Sequence, residues 1–359
     1  EQREKGTVII TLRGHIGLVN ALSYLEIPNV GTEIYSCGED TTVRVWRRAL
    51  NCDMESWVLV ETLEGLISPA TTICSKFTKR GTIICASDSS GKVVTWQRAS
   101  ASDVNNSFSS KGTAIQFPSS QLPYSLHLMT IDDNDSKSKS VSVGEGVVLL
   151  IGSVDSRIHI ATTTSTIATA TATAAEQESE PYFKVVGALP GHEEWITAIT
   201  SRKVTPTYNK SSSESSETED SNDGPCIFVA TGSKDFKARI WRFQISRQKS
   251  STICASLLSA NNSGVNDDEA DGEDLEDASA DKNSNEQANQ VDDDDLVGAN
   301  EARLVFDLNL NDNANSNNTV CCAVYLETLL IGHEDWISSV QWLPNTSTGA
   351  EDDDVPYLL

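Results

Sequence analysis

Apolar and polar residues alternate in short runs along most of the chain, and Gly, Asp, Asn and Ser cluster between the runs. Strict alternation puts one set of side chains on one face of an extended backbone, so each run predicts a half-buried β-strand. Leu18–Ser23, Thr32–Cys37, Thr42–Trp46 and Trp57–Thr62 make one group of four such strands. Trp195–Thr200, Cys226–Thr231, Phe236–Phe243 and Cys321–Glu327 make another. The expected fold class is all-β, built from successive four-stranded antiparallel units.

The units repeat. Leu12-Arg13-Gly14-His15 precedes Ser36-Cys37-Gly38-Glu39-Asp40 and Val43-Arg44-Val45-Trp46. Leu189-Pro190-Gly191-His192 likewise precedes Thr231-Gly232-Ser233-Lys234-Asp235 and Ala238-Arg239-Ile240-Trp241. Both units place Asp six residues before Trp, and Ser or Thr ten before it. A third start, Gly332-His333-Glu334-Asp335-Trp336-Ile337, echoes Gly191-His192-Glu193-Glu194-Trp195-Ile196. Two weaker copies lie between. One starts at Leu63-Glu64-Gly65, has no His, and runs through Asp88 to Trp96 with two extra residues between the acid and the indole; the other holds Asp155 and His159, with Ala161 in the Trp position. Self-similarity of this period marks a repeat architecture.

These residues resemble WD repeats, the four-stranded blades of a β-propeller. The resemblance implies that His15, Ser36, Asp40 and Trp46 form a hydrogen-bonded chain inside one blade. It implies the same for His192, Thr231, Asp235 and Trp241, with His333 opening a further set. The chemistry suits a structural lock: a buried imidazole needs a partner for each ring nitrogen, a buried carboxylate needs donors, and an indole N–H needs an acceptor. His, Ser and Asp together also suggest a catalytic triad, but an enzyme needs one active site, whereas a blade needs its lock every time. No catalytic, cofactor-binding or metal-ligating residue is expected. The implied architecture is a WD-repeat β-propeller segment of about four blades plus partial flanking blades. Residues 1–12 read as the outer strand of a preceding blade, 13–62 as a blade, 63–117 and 122–188 as degenerate blades, and 189–329 as a blade interrupted by disordered inserts 201–225 and 244–320. Residues 330–359 read as the start of the next blade.

The likeness is narrower than the generic repeat. Leu189-Pro190-Gly191-His192-Glu193-Glu194-Trp195-Ile196, the phrase from Leu326 to Trp336, Arg157-Ile158-His159-Ile160, and a charged insert between Trp241 and Leu326 are similar to the family of second subunits of the Elongator complex. Members of that family carry two propellers, so the chain is expected to be a partial one. The resemblance implies a non-catalytic scaffold that bridges the large scaffold subunit and the catalytic radical and acetyl-transfer subunit for modification of the tRNA wobble uridine. The tRNA itself would be met only indirectly, and no membrane is implied. The implied location is cytoplasmic, with the nucleus as a second one. A WD-repeat substrate receptor or adaptor of a ubiquitin-ligase or chromatin complex is the alternative; it would need a basic or aromatic pocket at the central channel.

Charge sharpens the picture. The 359 residues carry a net charge of -25, and the segments 211–224, 267–301 and 351–354 account for -23 of it. The remainder is close to neutral and carries no Lys/Arg stripe, which argues against direct binding of nucleic acid. The acidic segments are rich in Ser, Asn, Asp and Glu and poor in aromatics, a composition that cannot bury enough apolar area to order itself. Strand alternation sends inserts 132–145, 162–180, 201–225 and 244–320 to one propeller face; the loops that carry Gly14-His15, Gly191-His192 and Gly332-His333 lie on the other and are short. The Ala/Thr run 161–175 is low in complexity and carries no chemistry. Eight cysteines without paired metal spacing read as reduced thiols. Phosphate loops, dinucleotide fingerprints and His-Glu-x-x-His helices are absent from the sequence. His127 and His159 stand isolated in it. Trp195 and Trp336, three residues after the Gly-His pairs, admit two readings: core residues that open a strand, or surface anchors for a partner.

Overall fold

The computed structural model describes residues 8, 10–49, 57–99, 107–109, 112–132, 145–163, 182–204, 226–246, 302–310 and 319–343. These form four antiparallel sheets. The first runs β1 (Val19–Ile27), β2 (Gly31–Gly38), β3 (Val43–Ala49), β4 (Val58–Leu63). The second is β5 (Ala70–Thr78), β6 (Gly81–Asp88), β7 (Lys92–Ala99), β8 (Thr113–Gln116), and the third β9 (Pro123–Asp132), β10 (Glu145–Ser153), β11 (Ile158–Thr163), β12 (Phe183–Leu189). The fourth sheet has five strands: β13 (Ile196–Val204), β14 (Cys226–Ser233), β15 (Lys237–Ser246), then β17 (Thr319–Ile331), with β16 (Ala302–Asn309) outermost. Apart from one 3-10 turn at Ser119–Gln121, all regular structure among the described residues is strand. Among the described residues the chain is all-β, and its four sheets are arranged as the blades of a β-propeller.

The hairpin between the second and third strands keeps one length in all four blades. The register pairs Ile34 with Trp46, Ile84 with Trp96, Leu149 with Ala161 and Val229 with Trp241. Five residues before each indole, or before the Ala in its place, the backbone turns left-handed: φ is 61° at Thr41, 87° at Gly91, 65° at Ser156 and 65° at Phe236. The second blade therefore contains no insertion ahead of Trp96. Its acid sits two residues further upstream, and Ser90 occupies the place that Asp40 and Asp235 hold.

Strands β1, β5, β9 and β13 lie side by side, so the four blades fan out from a common inner edge. Three apolar cores fill the gaps between neighbouring blades. Tyr35, Val43 and Val45 of the first blade meet Ile84, Ala86 and Trp96 of the second. Ile83, Cys85 and Val93 on the other face of the second meet Leu128, Leu149 and Phe183 of the third. Met129, Leu150 and Ile160 of the third then meet Val229, Trp241 and Phe243 of the fourth. A strand flanked by blades on both sides is buried on both faces, which is why β6 and β10 read as unbroken apolar runs.

Polar links join the blades near the inner edge. Ser23 and Ser75 hydroxyls are 2.7 Å apart, Asn20 donates to the Ala70 carbonyl at 2.7 Å, and Ser125 Oγ donates to the Ile196 carbonyl at 2.9 Å. His127, isolated in sequence, has its Nε2 2.7 Å from Ser201 Oγ of the next blade.

The structure departs from the sequence-based expectation in three places. Residues 302–309, inside the span expected to be an unstructured insert, form β16. Leu304, Phe306, Leu308 and Leu310 alternate along it and pack on the third blade, where Gly146 and Gly187 leave room for Leu308 and Leu304. That burial of apolar area stabilises this stretch, although its acidic surroundings suggested otherwise. Residues 8 and 10–12 form no strand, and no strand among the described residues pairs with them. Residues 336–341 are likewise not a strand, and Trp342 makes a lone bridge. The stretch instead leans on the flank of the fourth blade: Thr197 Oγ1 donates to the Ile337 carbonyl, and Arg202 Nη1 to that of Leu343 at 2.8 Å.

Most of the expected inserts lie outside the described residues: 133–144, 164–181, 205–225, 247–301 and 344–359. Their points of departure are described. Val204 pairs with Cys226, Cys226 with Gln244, and Ser246 with Cys321, so the segments 205–225 and 247–301 leave the fourth blade from one end of its sheet. His192 and Asp235 are at the opposite end.

Candidate functional site

In the first blade, His15 comes from the loop before β1, Ser36 from β2, Asp40 from the β2–β3 turn and Trp46 from β3. The indole Nε1 donates to Ser36 Oγ at 2.9 Å, and that hydroxyl is 2.7 Å from His15 Nε2. His15 Nδ1 stands 2.9 Å from both Asp40 oxygens, which also accept from the Ile16 amide at 3.0 Å and the Thr42 hydroxyl at 2.9 Å. Burial alone would raise the Asp40 carboxyl; the hydrogen bond from His15 and those from Ile16 and Thr42 hold it well below the usual carboxylate range.

The fourth blade repeats the set. Trp241 Nε1 donates to Thr231 Oγ1 at 3.2 Å, Thr231 Oγ1 is 2.9 Å from His192 Nε2, and His192 Nδ1 is 2.8 Å from Asp235 Oδ2. A neutral imidazole with its proton on Nδ1 suits the chain of three: indole to hydroxyl, hydroxyl to Nε2, Nδ1–H to carboxylate. Consistently, burial pushes His192 below its ordinary range and outweighs the upward pull of Asp235. Asp235 itself is held low by His192 and by the amides of Glu193 and Lys237, against the effect of burial.

Arg239 is a member of this set that sequence reasoning missed. Its side chain is fully buried, and its Nη1 donates to Asp235 Oδ2 at 3.2 Å while touching His192 Nδ1 at 2.8 Å. It thereby offsets the carboxylate charge in a dry place. A signal was available: Arg44 stands four residues after Asp40 as Arg239 does after Asp235, and Arg44 Nη2 is 3.6 Å from Asp40 Oδ2.

The other expected positions differ. Lacking a His, the second blade sends Trp96 Nε1 to the Glu64 carbonyl at 3.1 Å, and Asp88 instead accepts from the amides of Ile67, Ser90 and Lys92. In the third blade His159, which the sequence left isolated, is buried with Nε2 3.1 Å from Asp155 Oδ2, four residues back, as the arginines are in their blades. His333 is exposed, and no quartet forms around it among the described residues.

Trp195 and Trp336 do not pack into the core. The inward-pointing residues are their neighbours Ile196 and Ile337, both buried, and the indoles are turned to the surface at 38% and 58% exposure. They meet around one cation. Lys234 Nζ lies 3.6 Å from the Trp195 ring centroid, 4.1 Å from that of Trp336 and 5.6 Å from that of Tyr124. Tyr124 belongs to the third blade and tilts against Trp195 at a centroid distance of 5.6 Å. The cluster sits on the face with the short loops, at the end opposite the points where 205–225 and 247–301 depart.

A buried ion network, also missed, joins the first two blades at the other end. Glu33 of β2 is fully buried and accepts from Arg47 Nη2 at 2.6 Å and from Arg98 Nη2, on β7 of the next blade, at 2.8 Å; Tyr35 donates to it as well. Among the described residues, no group of three or more His, Cys, Asp or Glu side chains is placed to hold a metal ion. No helix there is long and apolar enough to cross a membrane, which says nothing about strands.

Comparison with known proteins fits this architecture. The family described as WD domain, G-beta repeat matches residues 6–47, a stretch that takes in β1 and β2 and most of β3 of the first blade. Over 94% of its length the chain is 24% identical to Elongator complex protein 2 of Dictyostelium discoideum. The chain resembles that subunit. It spans 32% of the relative's length. Among solved structures, Saccharomyces cerevisiae Sqt1 aligns over 62% of this chain and 44% of its own, with 12% identity and a TM-score of 0.34.

Proposed function

We propose that the chain is a non-catalytic WD-repeat scaffold subunit of an Elongator complex. Its blades bridge the large scaffold subunit and the catalytic radical and acetyl-transfer subunit that together modify the tRNA wobble uridine. The observation that carries this reading is the similarity to Elongator complex protein 2, which extends over nearly the whole chain and is not confined to the generic repeat. The site chemistry supports it. The His-hydroxyl-Asp sets are turned inside their blades, with His192 and Asp235 side chains 1% and 2% exposed, so they fasten strands and meet no substrate. The quartets His15–Ser36–Asp40–Trp46 and His192–Thr231–Asp235–Trp241 are locks in this reading, and Trp195 and Trp336 are partner contacts. Recognition falls to rigid faces and rims, the parts of a propeller that can hold several proteins at once. A cytoplasmic location, shared with the nucleus, follows from membership of such a complex.

Affinity purification of the tagged protein from its native cell tests the proposal. Stoichiometric recovery of a radical and acetyl-transfer enzyme with a large scaffold subunit is expected. Recovery of a cullin-linked adaptor in their place, or turnover of a substrate by the isolated protein, would overturn it.

A further inference from the structure

The Lys234 cluster has the chemistry of a receptor. An ammonium shared by two indoles and a phenol is held by the negative faces of the rings, and indole is the best of these partners. Lys234 therefore shows that this spot accepts a cation. Its backbone is held, since its amide donates to the Trp195 carbonyl at 3.0 Å, and the rings contact its ammonium by a charge–ring interaction. The rings are far from covered: Tyr124, Trp195 and Trp336 are 42%, 38% and 58% exposed.

The surroundings are acidic. Glu193 and Glu194 directly precede Trp195, and Glu334 and Asp335 directly precede Trp336; all four are exposed. Lys237 pairs with Glu193 at 2.6 Å, so two nearby lysines face four carboxylates. Exposed aromatic rings inside an excess of negative charge complement a partner that brings positive charge.

We propose that this cluster binds an arginine-bearing, basic segment of a partner protein, whose guanidinium replaces the Lys234 ammonium between Trp195 and Trp336 while neighbouring basic residues pair with the Glu-Glu and Glu-Asp rims. Arginine suits the slot better than the resident lysine because the planar guanidinium stacks on indole and is less strongly hydrated than an ammonium. Lys234 is then a place-holder that occupies the slot until the partner arrives. The inference rests on the scaffold reading for its biological setting and on the cluster alone for its chemistry.

The test is fluorescence anisotropy of the full chain with a labelled Ser-Gly-Arg-Gly-Arg-Gly-Ser peptide, against the same peptide with citrulline at both arginines. Citrulline keeps the shape and removes the charge. The arginine peptide is expected to bind at least about tenfold more tightly, and Trp336→Ala to weaken it roughly 3- to 30-fold, as loss of a partly desolvated cation–π contact does. Trp336→Phe should retain most of the affinity, and Lys234→Met should increase it by emptying the slot. Thermal melts identify any variant that fails to fold; Trp336→Phe and Lys234→Met then decide. Equal binding of the two peptides overturns the proposal, as does a loss of binding in Lys234→Met, which would make the lysine a strut. Recovery of partner subunits with the Trp336 variants is scored separately. Partners that still co-purify while the arginine peptide fails to bind sink this proposal alone, whereas peptide binding without any partner subunit sinks the scaffold reading alone.

Discussion

Arg98 of the second blade donates to Glu33 of the first at 2.8 Å, and both side chains are buried. The contact spans the gap between two sheets and joins β2 of one to β7 of the other. Arg98→Met takes one charged partner from Glu33 and leaves it Arg47 and Tyr35, so it should cost about 1–3 kcal/mol, and the double change Glu33→Gln with Arg98→Met should cost less than the sum of the singles. Denaturant unfolding of the four members of that cycle measures the coupling; additive losses would show the pair to be independent.

The fourth blade makes a second prediction. Trp241→Ala empties a fully buried indole site and should lose about 3–5 kcal/mol. Thr231→Val keeps the shape but leaves the indole N–H and His192 Nε2 without their shared hydroxyl, a loss of about 1–3 kcal/mol. Thr231→Ser should be nearly neutral. Thermal or urea unfolding ranks the three, and a neutral Thr231→Val would mean that the hydroxyl fastens nothing.

Acid should loosen the blades in a defined order. Burial, aided by the charge of Lys76, pushes His127 down to about 4, and burial also lowers His192. Both histidines are thus neutral when folded and take up protons more readily when unfolded. Their contribution is fully present above the unfolded value near 6.5 and is lost as pH falls below it, down to about 4 for His127. Asp40, Asp235 and Glu33 have carboxyls held below the usual range, so their contribution persists further and fades only below the unfolded carboxylate values. The melting temperature should begin to drop near pH 6.5, and His127→Gln should flatten the part of the curve above pH 4. A melting temperature that is level between pH 7 and 4 would contradict the neutral-histidine assignment.

Strand β16 gives a fourth. Leu308→Ala removes a buried side chain from the joint with the third blade and should cost about 2–5 kcal/mol. Deletion of 262–300, which leaves β16 intact, should not move the melting temperature, because that composition buries little. Differential scanning calorimetry of the two variants separates the strand from the acidic stretch that precedes it.

What the sequence revealed follows from the range of each interaction. Strands came from alternation, and the two complete quartets from spacings that repeat within single blades, where His, hydroxyl, acid and indole recur at fixed intervals. The Glu33–Arg98 pair is 65 residues apart in the chain and belongs to no repeat, so no local pattern signals it. Arg239 had a signal in its fixed distance from Asp235, hidden because a basic residue on a strand ordinarily reads as solvated. Strand β16 shows clear alternation from Leu304 to Leu310, masked by the fifteen acids that precede it in 267–301. Trp195 and Trp336 carried both a core and a surface reading because strand parity turns on a single residue. The isoleucine after each tryptophan took the inward position.

The proposed bridging role can be tested most directly by native mass spectrometry of the assembly purified through the large scaffold subunit, with and without this protein. The account predicts that the catalytic radical and acetyl-transfer subunit leaves the large subunit when the protein is missing and returns when the purified full-length protein is added back. A catalytic subunit that stays bound to the large subunit in its absence would contradict the account.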